Sequence, residues 1–359
     1  MVIRAIETTP VSVPIHQHLA IRAKGGTHAV SPFLIVRVHT DEGITGLGEV
    51  SCTPRWSGED STTAAHFIHT IFEPLLIGHD PREIERHTHR MRGALAGNPF
   101  TKAAIEMALW DILGKAAGLP LYRLLGGPVR ESVPLKWSIS GVEPERAARI
   151  AAWAVEQGFR AMKVKVGIDD AQDVARVREV RKTIGDGIRL GIDANGAWSP
   201  RKAVEMVARL SEFDLWFAEQ PVPPGDVEWL REVRDRIDVP VIADESLYTP
   251  QDAASLIRNG AADIFSIYIG KSAGIATARQ IAGIGAAAGL SCTIGSNLEM
   301  GIGSAAMIHL AMCTPGIDLP CDIIGPYFYT EDLLTEPLNI RNGEARPPDG
   351  PGLGVELAR

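Results

Sequence analysis

Eight short, β-branched runs alternate with stretches of helical length between Val133 and Ile324, and no other feature of the sequence constrains the fold as tightly. The runs are VPLKWSI, AMKVKVG, IRLGIDAN, LWFAEQP, VPVIADES, DIFSIYIGK, LSCTIGSN and IDLPCDII. Strict alternation calls for parallel strands joined by helical crossovers. Repeats of about 25 residues fit a closed (β/α)8 barrel of the TIM type better than a doubly wound open sheet. Helix punctuation agrees: Ser199-Pro200 and Thr249-Pro250 read as N-termini, and Gly158, Gly185, Gly260 and Gly289 as C-termini. One G-x-G-x-x-A match, Gly301 to Ala306, follows no strand, so its glycines are read as helix packing and not as a dinucleotide loop.

A chain of 359 residues has room for one barrel and a smaller partner. Residues 1–128 supply that partner. Three strand-like runs, IRAIETTPVSV, PFLIVRVHT and GITGLGEV, precede helical stretches near 61–77, 81–95 and 99–117, the order of an α+β domain. The barrel is assigned to 129–325, and the turn-rich segment 326–359 is expected to return to the first domain. With 45% hydrophobic and 22% charged residues the chain can bury a sizeable core. A net charge of -8 offers no basic field to a nucleic acid. Cys52, Cys292, Cys313 and Cys321 have no zinc spacing and are read as reduced core thiols. The N-terminal MVIRAIETTPVSVPI alternates as a strand does, without the pattern of a signal peptide, and no apolar run is long enough for a membrane span, so the expected location is the cytoplasm.

Residues at the C-terminal ends of barrel strands converge on one site, and here four consecutive strands end in acids or bases. Strand two ends in Lys163-Val164-Lys165, strand three in Asp193, strand four in Glu219 and strand five in Asp244-Glu245. Asp193, Glu219 and Asp244 are separated by 26 and 25 residues, one repeat each. Three facing carboxylates repel one another unless a hard cation lies between them, and an all-oxygen set suits Mg²⁺ better than zinc. The alternative for each acid is a cap on the helix that follows. Lys163 and Lys165 sit two residues apart, so a strand points both at the barrel interior. Burial beside another ammonium is expected to depress a lysine pKa and make Lys165 a general base.

These residues resemble the enolase superfamily, and within it the muconate lactonizing enzyme (muconate cycloisomerase-like) subgroup. The likeness runs through NPFTKAAIEMALWDILGKAAGLPLYRLLGG, the K-x-K of strand two, the three acid motifs, GSNLE and the closing PGLG. It implies that the α+β domain caps the barrel mouth. It also implies that the chain removes a proton next to a substrate carboxylate through an enediolate, with Mg²⁺ as cofactor. By the same resemblance Asp193, Glu219 and Asp244 hold the metal, Lys165 is the base, Lys163 helps to hold the enolate charge, and Glu299 borders the site. Mandelate-racemase-like members place a histidine after strand seven, where this chain reads Gly295-Ser296-Asn297.

One position departs from the subgroup. The resemblance implies a second lysine on strand six, and Tyr268 stands there, with Lys271 three residues on in a K-x-G-G-like turn whose first glycine is Ala273. A phenol is a poor base near neutral pH because its ordinary pKa is about 10. Cycloisomerisation and syn elimination need only one base, so they are the expected reactions. The alternatives are a racemase or epimerase of N-acyl amino acids or dipeptides, with Tyr268 or Lys271 as the second group, and a barrel retained only as a binding protein. Asp322 on strand eight lacks the D-x-D of dipeptide epimerases. Candidate substrate contacts are Asn195, Lys271, Glu299, Asp322, Arg22 and Trp56, the last two on loops where solvated side chains are the competing reading. The expected partners are a small carboxylate substrate and further copies of the chain.

Overall fold

The computed structural model describes residues 1–24 and 26–358. The chain opens with β1 (Ile3–Pro14), a short hairpin of β2 (Ile21–Ala23) and β3 (Gly26–His28), then β4 (Val30–Thr40) and β5 (Thr45–Ser51). Strands β1, β4 and β5 form an antiparallel sheet in the order β1-β4-β5. Helices α1 (Ser61–Phe67), α2 (Glu73–Leu76), α3 (Ile84–Ala94) and α4 (Pro99–Ala117) follow, with a π-turn over Ile68–Phe72 between the first two. The glycines of GITGLGEV bring α4 onto the sheet. A Cβ at Gly46 would lie 2.0 Å from the Ala108 carbonyl oxygen, and one at Gly48 1.9 Å from that of Ala104. Helix α4 is buried nearly all round, because the sheet covers one side and the barrel the other.

After α5 (Leu121–Leu124) and the two-residue β6 (Val133–Pro134) comes the barrel. Its elements are β7 (Trp137–Ile139), α6 (Pro144–Glu156), β8 (Ala161–Lys165), α7 (Asp170–Ile184), β9 (Arg189–Asp193), α8 (Pro200–Leu210), β10 (Leu215–Glu219), α9 (Val227–Arg234), β11 (Val241–Ala243), α10 (Pro250–Arg258), β12 (Ile264–Ile267), α11 (Ile275–Ala287), β13 (Ser291–Ile294) and α12 (Gly301–Cys313). The seven strands β7 to β13 lie side by side in sequence order, all parallel, and curl into the barrel. Helix starts use the expected caps. Ser199 accepts from the Lys202 N–H, and Thr249 forms a reciprocal capping box with Asp252.

Two of the eight expected strands differ from expectation. The run VPLKWSI splits at Pro134: β6 turns away to pair with β15 (Glu344–Ala345), itself paired with β14 (Ile340–Arg341), and only Trp137–Ile139 joins the barrel. The eighth run makes no regular ladder. Residues 317–322 touch both edges of the sheet through single bridges, Cys292 to Ile317 and Leu135 to Cys321. Asp322 N–H bonds Ile294 O, and Cys321 exchanges backbone bonds with Pro134 and Lys136. Pro320 has no N–H to offer a neighbouring strand, which limits pairing there.

The C-terminal segment touches both parts of the molecule. On the first domain, Thr330 N–H bonds Pro14 O, Leu121 N–H bonds Gly352 O and Leu353 N–H donates to Asp111 of α4, and on the barrel side Leu135 N–H bonds Gly343 O. All four cysteines are buried and free. Among the described residues no helix is long and apolar enough to cross a membrane.

Candidate active site

Strand pairing sets Lys165 opposite Asp193 and Asp193 opposite Glu219, so the strand ends deliver these side chains to one place. Lys165 Nζ donates to Asp193 Oδ2 at 2.6 Å and to Asn195 Oδ1 at 2.9 Å. Lys163 Nζ lies deeper in the barrel, 2.7 Å from Glu219 Oε1, 3.2 Å from Asp193 Oδ2 and 3.1 Å from Asp322 Oδ2. Asp244 accepts from Lys271 Nζ through Oδ1 at 2.5 Å and from the Tyr268 hydroxyl through Oδ2 at 3.0 Å. Every candidate metal ligand is therefore met by an ammonium group. Among the described residues no three acidic, histidine or cysteine side chains converge closely enough to hold a metal ion as they stand.

Burial alone lowers the Lys163 pKa, but Asp322, Glu219, Asp193 and Asp244 together outweigh it and hold the ammonium well above the ordinary lysine range. Lys163 is thus a fixed positive charge and not a depressed amine. Burial pushes Glu219 upward against the pull of Lys163, with Asp193, Asp244 and Asp322 adding to the rise. Asp193 goes the other way: burial would raise it, but Lys165 and Lys163 bring it below the usual carboxylate range. The crowding of carboxylates is felt at Glu219, which holds a proton more readily than an ordinary glutamate and whose Oε2 is buried without a hydrogen-bond partner.

Tyr268 forms part of an aromatic wall. Its ring stacks on Trp56 at a centroid distance of 5.4 Å, and Lys271 Nζ lies over the same ring, 4.2 Å from its centre, in a cation–π contact. Trp56 also stacks on Tyr248 and meets Phe100 edge-on. Gly295 gives the phenol its room, since a Cβ there would lie 2.0 Å from Tyr268 Cε1. Burial, reinforced by Asp244 and other acids, puts the Tyr268 hydroxyl well above its ordinary pKa. Lys271 has its ammonium on Asp244 and on the Ser266 carbonyl, and its side chain is fully buried.

Of the remaining candidates, Asn195 donates to Glu245 Oε1 at 2.9 Å while accepting from Lys165. Glu299 is buried and held by the Ser296 hydroxyl and the Asn297 N–H. Asp322 is also buried, and its Oδ2 lies against two ammonium groups. Trp56 belongs to the site, its indole N–H 3.4 Å from Glu245 Oε1. Arg22 is exposed. Its backbone N–H bonds Ser140 Oγ beyond β7, and its guanidinium lies 3.6 Å from Glu143. From the same hairpin Lys24 reaches the Gly196 carbonyl, so β2 and β3 lie against loops at the barrel mouth.

Two residues absent from the sequence-based candidates belong to the site. Glu245 joins Asn195 and Trp56, with Oε2 buried and unpartnered. Lys136 sends its ammonium into the barrel interior, 3.1 Å from Asp322 Oδ2. The signal for Lys136 was a lysine inside an otherwise apolar strand, in alternation with the outward-packing Trp137. Backbone conformation also marks the site. Asn195, Gln220, Ala273 and Leu298 are all left-handed, at φ of 45°, 34°, 57° and 61°, and each follows a barrel strand.

The geometry has counterparts. Residues 5–126 match the mandelate racemase / muconate lactonizing enzyme N-terminal domain, and residues 145–359 match the enolase C-terminal domain-like family. The chain belongs to the enolase superfamily. This superfamily member is 36% identical to muconate cycloisomerase 1 of Rhodococcus opacus, over 98% of this chain and 95% of the relative. It is 34% identical to the L-Ala-D/L-Glu epimerase of Bacillus subtilis, over 99% and 97%. The structure of a dipeptide epimerase from Enterococcus faecalis V583, complexed with Mg and the dipeptide L-Leu-L-Tyr, superposes with a TM-score of 0.93 at 31% identity, covering 99% of both chains. The protein is accordingly an enolase-superfamily isomerase or lyase, and its chemistry is abstraction of a proton next to a carboxylate.

Proposed function

We propose that this superfamily member is a Mg²⁺-dependent, one-base cycloisomerase or syn-eliminating lyase acting on a muconate-like carboxylate. One observation carries the choice: the site's lysines differ in access. Side-chain exposure is 13% for Lys165, against 4% for Lys163, 1% for Lys136 and none for Lys271. The opposing position is a phenol that donates to Asp244 and is covered by Trp56. A single accessible amine on one face supports chemistry in which proton removal and bond making or breaking share that face.

Asp193, Glu219 and Asp244 suit Mg²⁺ as an all-oxygen set, and the unpartnered Glu219 Oε2 gives a cation something to relieve. Bound there, the ion would supply Lewis-acid stabilisation of the charge that develops on the substrate carboxylate. Lys165, oriented by Asp193 and Asn195, moves the proton at the carbon next to the carboxylate, removing it in an elimination and delivering it in a lactonisation. Lys163 holds its permanent charge beneath the carboxylates. The aromatic wall of Trp56, Tyr248 and Tyr268 excludes water from the other face and offers a flat surface to an unsaturated carbon skeleton. Likeness to epimerases gives the second reading, exchange at the α-carbon of an N-acyl amino acid or dipeptide.

Turnover in D₂O separates the two. Cycloisomerisation or elimination of a diacid, lost in Lys165→Ala, supports the proposal. Inversion of N-acyl amino acids or dipeptides with deuterium entering the α-carbon overturns it.

A further inference from the structure

Lys136 is buried in the barrel interior with three oxygen partners: Thr293 Oγ1 at 2.8 Å, Pro320 O at 3.2 Å and Asp322 Oδ2 at 3.1 Å. The same Oδ2 lies 3.1 Å from Lys163 Nζ. One carboxylate oxygen therefore sits between two ammonium groups, one from the residue just before β7 and one from β8. Of the two, only Lys163 also touches candidate metal ligands, Glu219 and Asp193.

We propose that Lys136 is a positioning residue of the active site: by sharing Asp322 with Lys163, it keeps the Lys163 ammonium seated against Glu219 and Asp193. The physical reason is competition for charge. Asp322, Glu219 and Asp193 all draw on Lys163, and Asp322 is buried with neither carboxylate oxygen in a hydrogen bond, so the two ammonium groups hold it by charge. Without Lys136, Lys163 is the one ammonium left against Asp322 among the described residues, and a buried carboxylate short of counter-charge is costly. Lys163 is then drawn towards Asp322 and away from the metal ligands. Filling the barrel floor alone would require no charge, because an aliphatic side chain of similar length would serve.

The inference rests on the metal assignment proposed above, and two measurements separate them. A metal-free crystal structure of Lys136→Met should show Lys163 Nζ on Asp322 and out of hydrogen-bond reach of Glu219. Asp322→Asn added to Lys136→Met should return it to Glu219. Lys163 remaining on Glu219 in Lys136→Met overturns the proposal, whatever the metal does. In calorimetry with Mg²⁺ alone, loss of the Lys136 charge and withdrawal of Lys163 should tighten binding at least about fivefold in Lys136→Met, with the double variant returning near wild type. Unchanged affinity in Lys136→Met also overturns it. Absence of Mg²⁺ binding to the wild type counts against the metal assignment and leaves the crystallographic test in force. If Lys136→Met does not fold, a folded double variant supports the sharing. A double variant that also fails to fold overturns it, because the lysine would then act through packing.

Discussion

The Tyr268 hydroxyl donates to Asp244 Oδ2 at 3.0 Å, which commits the one phenol proton of the strand-six position to a carboxylate. Tyr268→Phe keeps the ring that stacks on Trp56 and removes only this bond. It should lower turnover of a confirmed substrate less than about tenfold, whereas Lys165→Ala, which removes a general base, should cost about 10²–10⁴-fold. Steady-state kinetics on both variants decide, and equal losses would restore Tyr268 as a proton-transfer group.

The ammonium groups of Lys163, Lys165 and Lys271 already neutralise the candidate metal ligands. A chelator should therefore abolish turnover without unfolding the chain. Mg²⁺ at a hundred times its dissociation constant should add about 2.7 kcal/mol of stability by mass action. Differential scanning calorimetry with and without the ion tests both statements, and a chelated protein that unfolds at ambient temperature contradicts the first.

Gly295 should not tolerate a side chain. A methyl group there would meet Tyr268 Cε1 at 2.0 Å and Ser266 Oγ at 2.4 Å, both buried. Gly295→Ala should cost about 1–3 kcal/mol by overpacking and displace Tyr268 from Trp56. Denaturant unfolding measures the first effect and a loss of tryptophan quenching reports the second; a neutral substitution would mean that the wall is loosely packed.

Glu49 of β5 accepts the N–H groups of Met300 and Gly303 at the start of α12, joining the first domain to the barrel. Burial pushes its carboxyl from an ordinary 4.5 to about 8, against the pull of those two donors. The unfolded chain sheds the proton first. The stability contributed by this group is therefore full below 4.5 and drains away as pH rises to about 8. Glu106, which caps α11 and is pushed to about 7, acts in the same sense. Thermal midpoints should fall over this window, less so in Glu49→Gln, and an identical slope in wild type and variant would exclude Glu49 as a source.

Much of the molecule was legible because its signals are local. The period of the runs, the caps at Ser199 and Thr249 and the spacing of Asp193, Glu219 and Asp244 depend only on near neighbours along the chain, and the observed strands and helices follow them. The eighth run failed as a strand because pairing is decided by two partners distant in sequence, and Pro320 withholds a donor from both. The surroundings of Lys163 are a tertiary matter for a related reason. Sequence placed one lysine beside it, but folding placed Asp322, Glu219 and Asp193 within reach, and Coulombic attraction at those distances exceeds the desolvation of one ammonium.

By itself, then, the sequence determined the repeating architecture, the carboxylates at successive strand ends and the tyrosine where a second lysine was expected. Tertiary structure alone decided which charges meet: that Lys136 shares Asp322, that Tyr268 and Lys271 both serve Asp244, and that Trp56 of the first domain covers the phenol. The division is physical. Backbone periodicity and capping act over a few residues, whereas electrostatic and aromatic contacts fall off with distance in space and take no account of distance along the chain.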